Sequence, residues 1–511
     1  MKTYTFNAPV ARVEFLNDLC SIIYPLVTQG LLMKQPRALT PLFLTEMWER
    51  FGFYVTQSLL ILYLTSVLNF SDSRAYMILG EFTALVYIAP LAGGFFADRV
   101  LGPRYAIFLG AIFLGLGYFF LGFAGQKLLF LSLSILVVGN GLLKPNISSF
   151  LGQFYYENDP RRDAGFTLFY IGINLGGLLA LGSAGFIQEK LGWGAAFLSA
   201  GVGMLIATVT FCFGFKKYEN RGLPIPPDQI RPSFLRMTRH KLSIIFLILL
   251  TILIAYLLLS STGIANLLQL VLGISILVTL LFVSSRFEKR IRNKFLVLII
   301  LILTSIVFWG ILFQAFASVN LFTQRVVDRH IVGLLIPSPA FIALETIFII
   351  LLGPFLAALW QRLHIKKLDP TPGAKFSFAM FSAAIAMTLL VLAVHWTETS
   401  GLIHPIWVVL FYLFLTLGEM LLSPIGLSMV TELSPPHLTG LMMGIWFMAL
   451  GFGGQLSGFL AEQAGVPKYI VDIHAANEIY GHAFMNNAIL SFVIGLILLI
   501  LSPWLKRLMK N

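Results

Sequence analysis

Charge is what this sequence has least of. Only 11% of its 511 residues are Asp, Glu, Lys or Arg, against about 25% in an ordinary soluble domain. Cysteine is nearly absent too. Cys20 and Cys212 cannot build a disulfide framework or a thiolate metal centre. The eight histidines are scattered and never take an HExxH spacing. No GxSxG and no GKS or GKT phosphate loop occurs, which argues against a membrane enzyme. No cleavable signal peptide is evident, because Asn7, Glu14, Asp18 and Gln29 interrupt any apolar stretch near the start. Residues 1–39 are read as a cytoplasmic N-terminal extension. No cofactor is expected.

What fills the chain is apolar. Hydrophobic residues make up 58% of it, with 46 phenylalanines. Runs of about 18 residues or more recur from end to end, each long enough for about 30 Å of hydrocarbon. Such runs must be helices, because lipid offers backbone groups no partner. Fourteen spans are expected, an all-α polytopic membrane protein. Six lie near 41–66, 75–97, 104–124, 128–150, 164–187 and 194–215. A basic, proline-rich linker follows at 216–241, then two apolar helices near 242–261 and 264–284. Six more lie near 295–324, 338–361, 376–396, 404–430, 438–463 and 483–505.

Net charge is +12, which in a soluble protein would suggest nucleic acid. Here topology accounts for it. With the N-terminus inside, 27 of the 35 Lys and Arg fall in inner segments and six in outer loops. Arg50 and Lys144 lie within spans. This excess predicts both termini in the cytoplasm and no nucleic-acid partner. Two six-helix halves joined by a basic loop predict the major facilitator fold, with its site near the midplane between the halves. The expected domains are 40–215 and 295–505, with 216–294 as linker plus two extra helices and 506–511 as a cytoplasmic tail. The segment GGFFADRVLGPRYAI, residues 93–107, resembles that superfamily's loop between spans two and three. Asp98 and Arg99 in it either cap helix ends or help stage the conformational change.

The few charges inside the spans carry the functional signal. Glu46, Glu49, Arg50, Phe53 and Gln57 recur at helical spacing on one face, with Tyr54 at its border. A surface i, i+4 pair is worth only about 0.2–0.5 kcal/mol. An ionised side chain at mid-bilayer costs about 2.5–3.5 kcal/mol on the lenient scale. Helix stability is therefore a poor reason to keep these residues, and the face is expected to look into the bundle. Lys144 needs a carboxylate there, since a buried unpaired lysine would lose its proton. Glu46, Glu49 and Glu419 are the candidates.

Five motifs in order resemble one family. EMWERFGFY, GNGLLKPNIS, FYIGINLGGLL, GEMLLSPIGLSMVTELSPP and GLMMGIWFMALGFGG look like signatures of the proton-dependent oligopeptide transporters, bacterial type with two extra helices. The resemblance covers about residues 40–505. It implies proton-coupled import of di- and tripeptides by alternating access in the bacterial inner membrane. It implies that Glu46, Glu49 and Arg50 form a proton-responsive cluster paired with Lys144, which faces the peptide carboxylate. Tyr54, Gln57, Tyr87 and Asn174 would line one half of the pocket. Glu419, with Ser423 nearby, would take the peptide amino group, and Trp309 and Trp446 would wall side-chain pockets. The partners implied are a small peptide, protons and membrane lipid, with the chain acting as a monomer.

Three departures stand out. The family usually has arginine where Gln57 stands and often glutamate where Phe313 stands. Those two can pair, so losing both leaves no orphan charge. In span eight, LETIFIILLGPFLAALW resembles a stretch usually written Asn-Pro where this chain has Glu345-Thr346. Glu345 is then expected beside Glu419, as a replacement proton carrier or a selector of cationic substrates. The bland alternative is a cap on an outer helix end. A related symporter for another small solute, such as an amino acid, a modified peptide or an organic anion, is the alternative function. A drug exporter of the same fold would need no clamp of opposite charges.

Overall fold

The computed structural model describes residues 34–123, 125–223, 241–397 and 401–510. Most of the N-terminal extension, Cys20 and linker residues 224–240 lie outside the described residues. Six long helices come first: α1 Leu39–Ser66, α2 Asp72–Phe96, α3 Pro103–Gly122, α4 Gln126–Gly152, α5 Arg162–Leu191 and α6 Trp193–Phe213. The inserted pair is α7 Lys241–Ser260 and α8 Thr262–Ser285. Then follow α9 Lys289–Leu312, a short α10 Ser318–Val326, α11 Ser338–Ile365, α12 Pro372–His395, α13 Ile406–Leu433, α14 Thr439–Glu462 and α15 Ile473–Lys510. Among the described residues, twelve helices are long and apolar enough to cross a membrane. Helix α1 matches them in length but carries Glu46, Glu49 and Arg50.

Each expected span meets one long helix, with two differences. The last helix starts ten residues before the expected span and runs on to Lys510. The span at 295–324 is broken. Helix α9 ends at Leu312, a 3-10 turn covers Phe313–Ala315, and Ala317 leaves helical geometry at φ −102°, ψ −102°. Gln314 makes the break tolerable. Its amide nitrogen reaches the Gly310 carbonyl at 3.2 Å and the Ser457 carbonyl of α14 at 3.0 Å. Ser318 donates back to its oxygen at 2.5 Å. Broken backbone at membrane depth survives where neighbouring side chains satisfy the freed polar groups.

Each half has its own apolar core, one around α1–α6 and one around α9–α15. The halves meet along α2 against α14 and α5 against α11. Close approach along α2 and α14 needs small residues. A Cβ on Gly80 would lie 3.0 Å from the Gly454 carbonyl oxygen. The inserted helices lie over this seam, α7 against α4 and α2, and α8 against α9, α2 and α14.

The end of the bundle opposite Lys34 and Lys510 is locked. Arg325 of α10 donates to both carboxylate oxygens of Asp72 at the start of α2, at 2.5 and 2.8 Å. The Val466 amide adds a bond to Asp72 at 3.0 Å, and Lys468 reaches the Asn69 carbonyl at 2.6 Å. Asn320 donates to the Ser58 carbonyl at 2.7 Å, and Arg329 pairs with Glu189 at 3.7 Å. A two-stranded hairpin, His330–Ile331 with Leu334–Leu335, sits at the same end. At the other end the 97–101 segment forms a π-turn, with Arg99 stacked 5.2 Å from the Phe95 ring.

Within the first half, α2 seats on α4 at a point set by proline. Pro145 has no N–H, so the Gly141 carbonyl one turn earlier loses its helical donor. Gly93 of α2 lies on that carbonyl, and a Cβ there would come 1.9 Å from the oxygen. Gly93→Ala should therefore destabilise the protein by about 1–3 kcal/mol through overpacking. Gly182→Ala, where a Cβ meets nothing within 4 Å, should be neutral or slightly stabilising. Thermal midpoints of the two variants in one detergent check the contrast.

Candidate functional site

Helix α1 turns its polar face toward α4 and α2. Arg50 forks onto Glu49 through Nε and Nη2, both short bonds. Asn140 of α4 adds a third bond to Glu49 Oε1 at 3.2 Å. Arg50 also lies 3.7 Å from Glu46 Oε1, and Lys144, one turn beyond Asn140, approaches the same oxygen at 3.5 Å. Of the three candidate partners for Lys144, the structure places Glu46 against it. Glu46, Glu49 and Arg50 are buried, whereas the Lys144 side chain is about one-third exposed. Two anions meet two cations, so the cluster is neutral as drawn. Its members are unequal, because Glu49 is held by three bonds while Glu46 Oε2 has no hydrogen-bond partner among the described residues.

An aromatic wall continues from this cluster. The Arg50 guanidinium stands 4.7 Å from the Phe53 ring centre, a cation–π contact. Phe53 meets Tyr54 at 5.2 Å and Tyr87 at 6.4 Å. From the other half, Phe316 reaches Tyr54 at 6.3 Å and Phe313 reaches Tyr87 at 5.8 Å. Trp309 follows at 6.3 Å from Phe313, with its indole N–H unpartnered among the described residues. The break after α9 is what aims Phe313 and Phe316 across the gap.

The opposite wall is acidic. Glu345 of α11 and Glu419 of α13 lie close enough to act on each other electrostatically. Glu345 is thus a wall residue and caps no helix end. One oxygen of each is buried without a partner among the described residues. Both carboxyls act electrostatically on Tyr54 and Tyr87, which also feel Arg50. A basic wall, an aromatic middle and an acidic wall therefore face one chamber. Tyr170 of α5 feels Glu345 and Glu419 and is 55% exposed.

The remaining expected residues divide. Asn174 lies half-buried on α5, its amide donating to the Tyr170 carbonyl at 2.9 Å. Ser423 is half-buried one turn past Glu419. Gln57 is buried and donates to Thr83 Oγ1 of α2 at 2.8 Å. It ties α1 to α2 within one half and does not reach across the gap. Trp446 departs from expectation. It is buried, lies 6.4 Å from Phe376, and fills the space over Gly426, where any Cβ would collide with its ring. In this state it belongs to the core of the second half.

Five residues join the site unannounced: Asn140, Thr83, Tyr170, Tyr412 and Phe316. Tyr412 is buried on α13 within electrostatic range of Glu345. Four of the five had a signal in the sequence. Asn140, Thr83 and Tyr170 precede Lys144, Tyr87 and Asn174 by four residues, and Tyr412 precedes Glu419 by seven, so each shares a helical face with a residue already singled out. Phe316 had none, because its direction depends on the break.

With this geometry in place, known proteins provide the comparison. A family model described as the POT family matches residues 104–479. Dipeptide and tripeptide permease B of Salmonella typhimurium is 34% identical over 484 residues, covering 94% of this chain and 97% of its own length. Dipeptide and tripeptide permease A of Cronobacter turicensis is 34% identical over 484 residues, covering 94% of each. A crystal structure of peptide transporter POT in complex with sulfate is similar at a TM-score of 0.81 and 31% identity, covering 94% of this chain and 97% of that one. A tetrameric PepTSo2 structure follows at 0.79 and 26%, covering 92% and 98%. The protein is an integral membrane protein of the major facilitator fold, and the chain belongs to the POT family.

Proposed function

We propose that the protein is a proton-coupled symporter of di- and tripeptides in a bacterial cytoplasmic membrane, with both termini in the cytoplasm. The observation that carries the reading is the pair of oppositely charged walls facing one chamber. A free peptide is a zwitterion, so a basic wall for its carboxylate and an acidic wall for its amino group fix both ends. The aromatic middle, Tyr54, Tyr87, Phe313, Phe316 and Trp309, then accepts varied side chains, as tolerant sites do. Relatives named dipeptide and tripeptide permease support the same substrate class. The orientation rests on the 27 Lys and Arg of the segments on the termini side, so the locked end is periplasmic and this state faces inward. Both charged walls come from this one chain, which supports a single copy as the transporting unit, and the cycle is driven by the proton gradient without a cofactor.

Coupling follows from charge balance. With Glu46, Glu49, Arg50 and Lys144 all ionised, each cation is already satisfied. One proton on a glutamate leaves a net positive charge, and a cation becomes free for the peptide carboxylate. Rocking of the halves carries both inward. Proton loss re-forms the ion pairs, which expel the peptide. Moving one charge down 100 mV supplies about 2.3 kcal/mol, roughly fiftyfold accumulation. The Gln57–Thr83 bond and the Phe313 stack leave no ion pair across the gap at the first and seventh spans. That role passes to the first-span cluster and to Glu345, which shares a proton with Glu419. The second carboxyl on the acidic wall also favours solutes with an extra cation, so a cationic peptide or another small cationic zwitterion is the second reading.

Proteoliposomes holding the purified protein, with an inward proton gradient and a negative-inside potential, should accumulate dipeptide until an uncoupler is added. Glu49→Gln should lose concentrative uptake by at least about tenfold, the scale of one lost charge-assisted bond. Silence in both uptake and counterflow would mean a different solute.

Glu345→Gln keeps a hydrogen-bonding partner for Glu419 but cannot exchange a proton. It should change the pH dependence of uptake and weaken preference for cationic peptides. An unchanged profile on both axes would remove Glu345 from the mechanism.

Asp72→Asn should unlock the periplasmic end by about tenfold in population, about 1.4 kcal/mol, a value kept low because the Arg325 side chain is one-third exposed. Spin labels at K127C and Y469C, in a background without Cys20 and Cys212, should report a longer periplasmic distance. A distribution unchanged from the parent would show that the lock lies elsewhere.

A further inference from the structure

Glu81 lies mid-helix in α2 and is fully buried. It has no part in the chamber. Thr83 and Tyr87, one turn apart, take the chamber side of α2, and a residue two places from Thr83 points to the opposite side. There Glu81 meets the inserted helix α8, where Gln269 Nε2 donates to Glu81 Oε1 at 2.8 Å. No charged or titratable group among the described residues of any neighbouring helix interacts with it, and Gln269 is its polar partner.

Two acceptor atoms at this contact are left over. Glu81 Oε2 and Gln269 Oε1 are both buried and both lack a partner among the described residues. Buried polar atoms in native structures are paired, and each exception asks for a reason. A carboxylate and a carboxamide face to face leave two oxygens opposed. One hydrogen between them closes a cyclic pair, with the amide N–H donating to one carboxyl oxygen and the acid O–H donating to the amide oxygen. A charged carboxylate here would have one amide donor and no cation, inside hydrocarbon.

We propose that Glu81 and Gln269 form a proton-binding site separate from the chamber, in which one proton bridges Glu81 Oε2 and Gln269 Oε1. The proton comes from water and rides on the acid without covalent rearrangement elsewhere. The site has a structural consequence. Asn266, one turn from Gln269 on α8, accepts a bond from Gln455 of α14. Helix α8 is thereby hydrogen-bonded to α2 of one half through Glu81 and to α14 of the other half through Gln455. The bound proton completes the first of these two links, and the inserted hairpin, apolar on most of its surface, gains a polar anchor on the seam between the moving halves. This inference does not depend on which solute the chamber carries.

Infrared difference spectroscopy on the purified full-length protein in lipid at neutral pH reads the proton directly. Wild type minus Glu81→Gln should show one hydrogen-bonded COOH carbonyl band, with the intensity of a single carboxyl, that shifts in D2O. Glu81→Gln keeps a reciprocal amide–amide pair with Gln269, so the fold should be retained. A difference spectrum holding carboxylate stretches in place of a COOH band would overturn the proposal. Gln269→Leu supplies an independent reading on a chain that keeps Glu81. Its COOH carbonyl band should move to higher frequency as the hydrogen bonds are lost, and a COOH region identical to wild type would equally overturn it.

Discussion

Two anions and two cations packed together within membrane spans must neutralise one another. Glu46, Glu49, Arg50 and Lys144 do so across the contact of α1 and α4, and much of the first half is arranged to keep them in register. Asn140 stands one turn from Lys144 so that Glu49 and Glu46 each meet a donor from the same helix. Phe53 lies against Arg50 and lowers the cost of its burial through the ring face. Removing one charge leaves another uncompensated in low dielectric, and that penalty exceeds the worth of most single contacts. In the proposed cycle a proton on a glutamate disturbs that balance and the peptide carboxylate restores it.

The cluster matters only if its state is felt by the whole molecule. Each half has its own apolar core and the two meet along the α2–α14 seam, an arrangement that suits the rocking proposed for the cycle. Glycines on the seam bring backbones close without interlocking side chains. The lock around Asp72 and Arg325 stands at the far end, away from the charge cluster. Helix α1 carries the cluster, and its Ser58 carbonyl, three turns further on, accepts from Asn320 beside the broken span.

Much of this was legible in the residue order, for a reason that can be named. Helical periodicity and hydrocarbon thickness are local constraints, so the fourteen spans and the polar face of α1 could be read without knowing any neighbour. The same holds for Asn140, Thr83, Tyr170 and Tyr412, each at a helical repeat from a residue already identified. The break at Phe313–Ala317 was not legible. It depends on Gln314 finding Ser457 of α14, a partner 143 residues away. The burial of Trp446 in this state was not legible for a similar reason. Its burial is decided by the absent side chain at Gly426 on another helix. The two inserted helices read as featureless, because Asn266 and Gln269 acquire meaning only beside Gln455 and Glu81.

By itself the sequence determined that this chain lives in a membrane, where its long apolar helices lie, which segments carry the positive charge, and that its first span sets Glu46, Glu49 and Arg50 on one face. These follow from composition and period, which act along the chain. Tertiary structure alone decided which carboxylate holds Lys144, that Gln57 serves its own half, and where the far end is locked. Those are contacts between helices distant in sequence. Hydrogen bonds and ion pairs form or fail within a few tenths of an ångström, a distance that no spacing along one helix can specify.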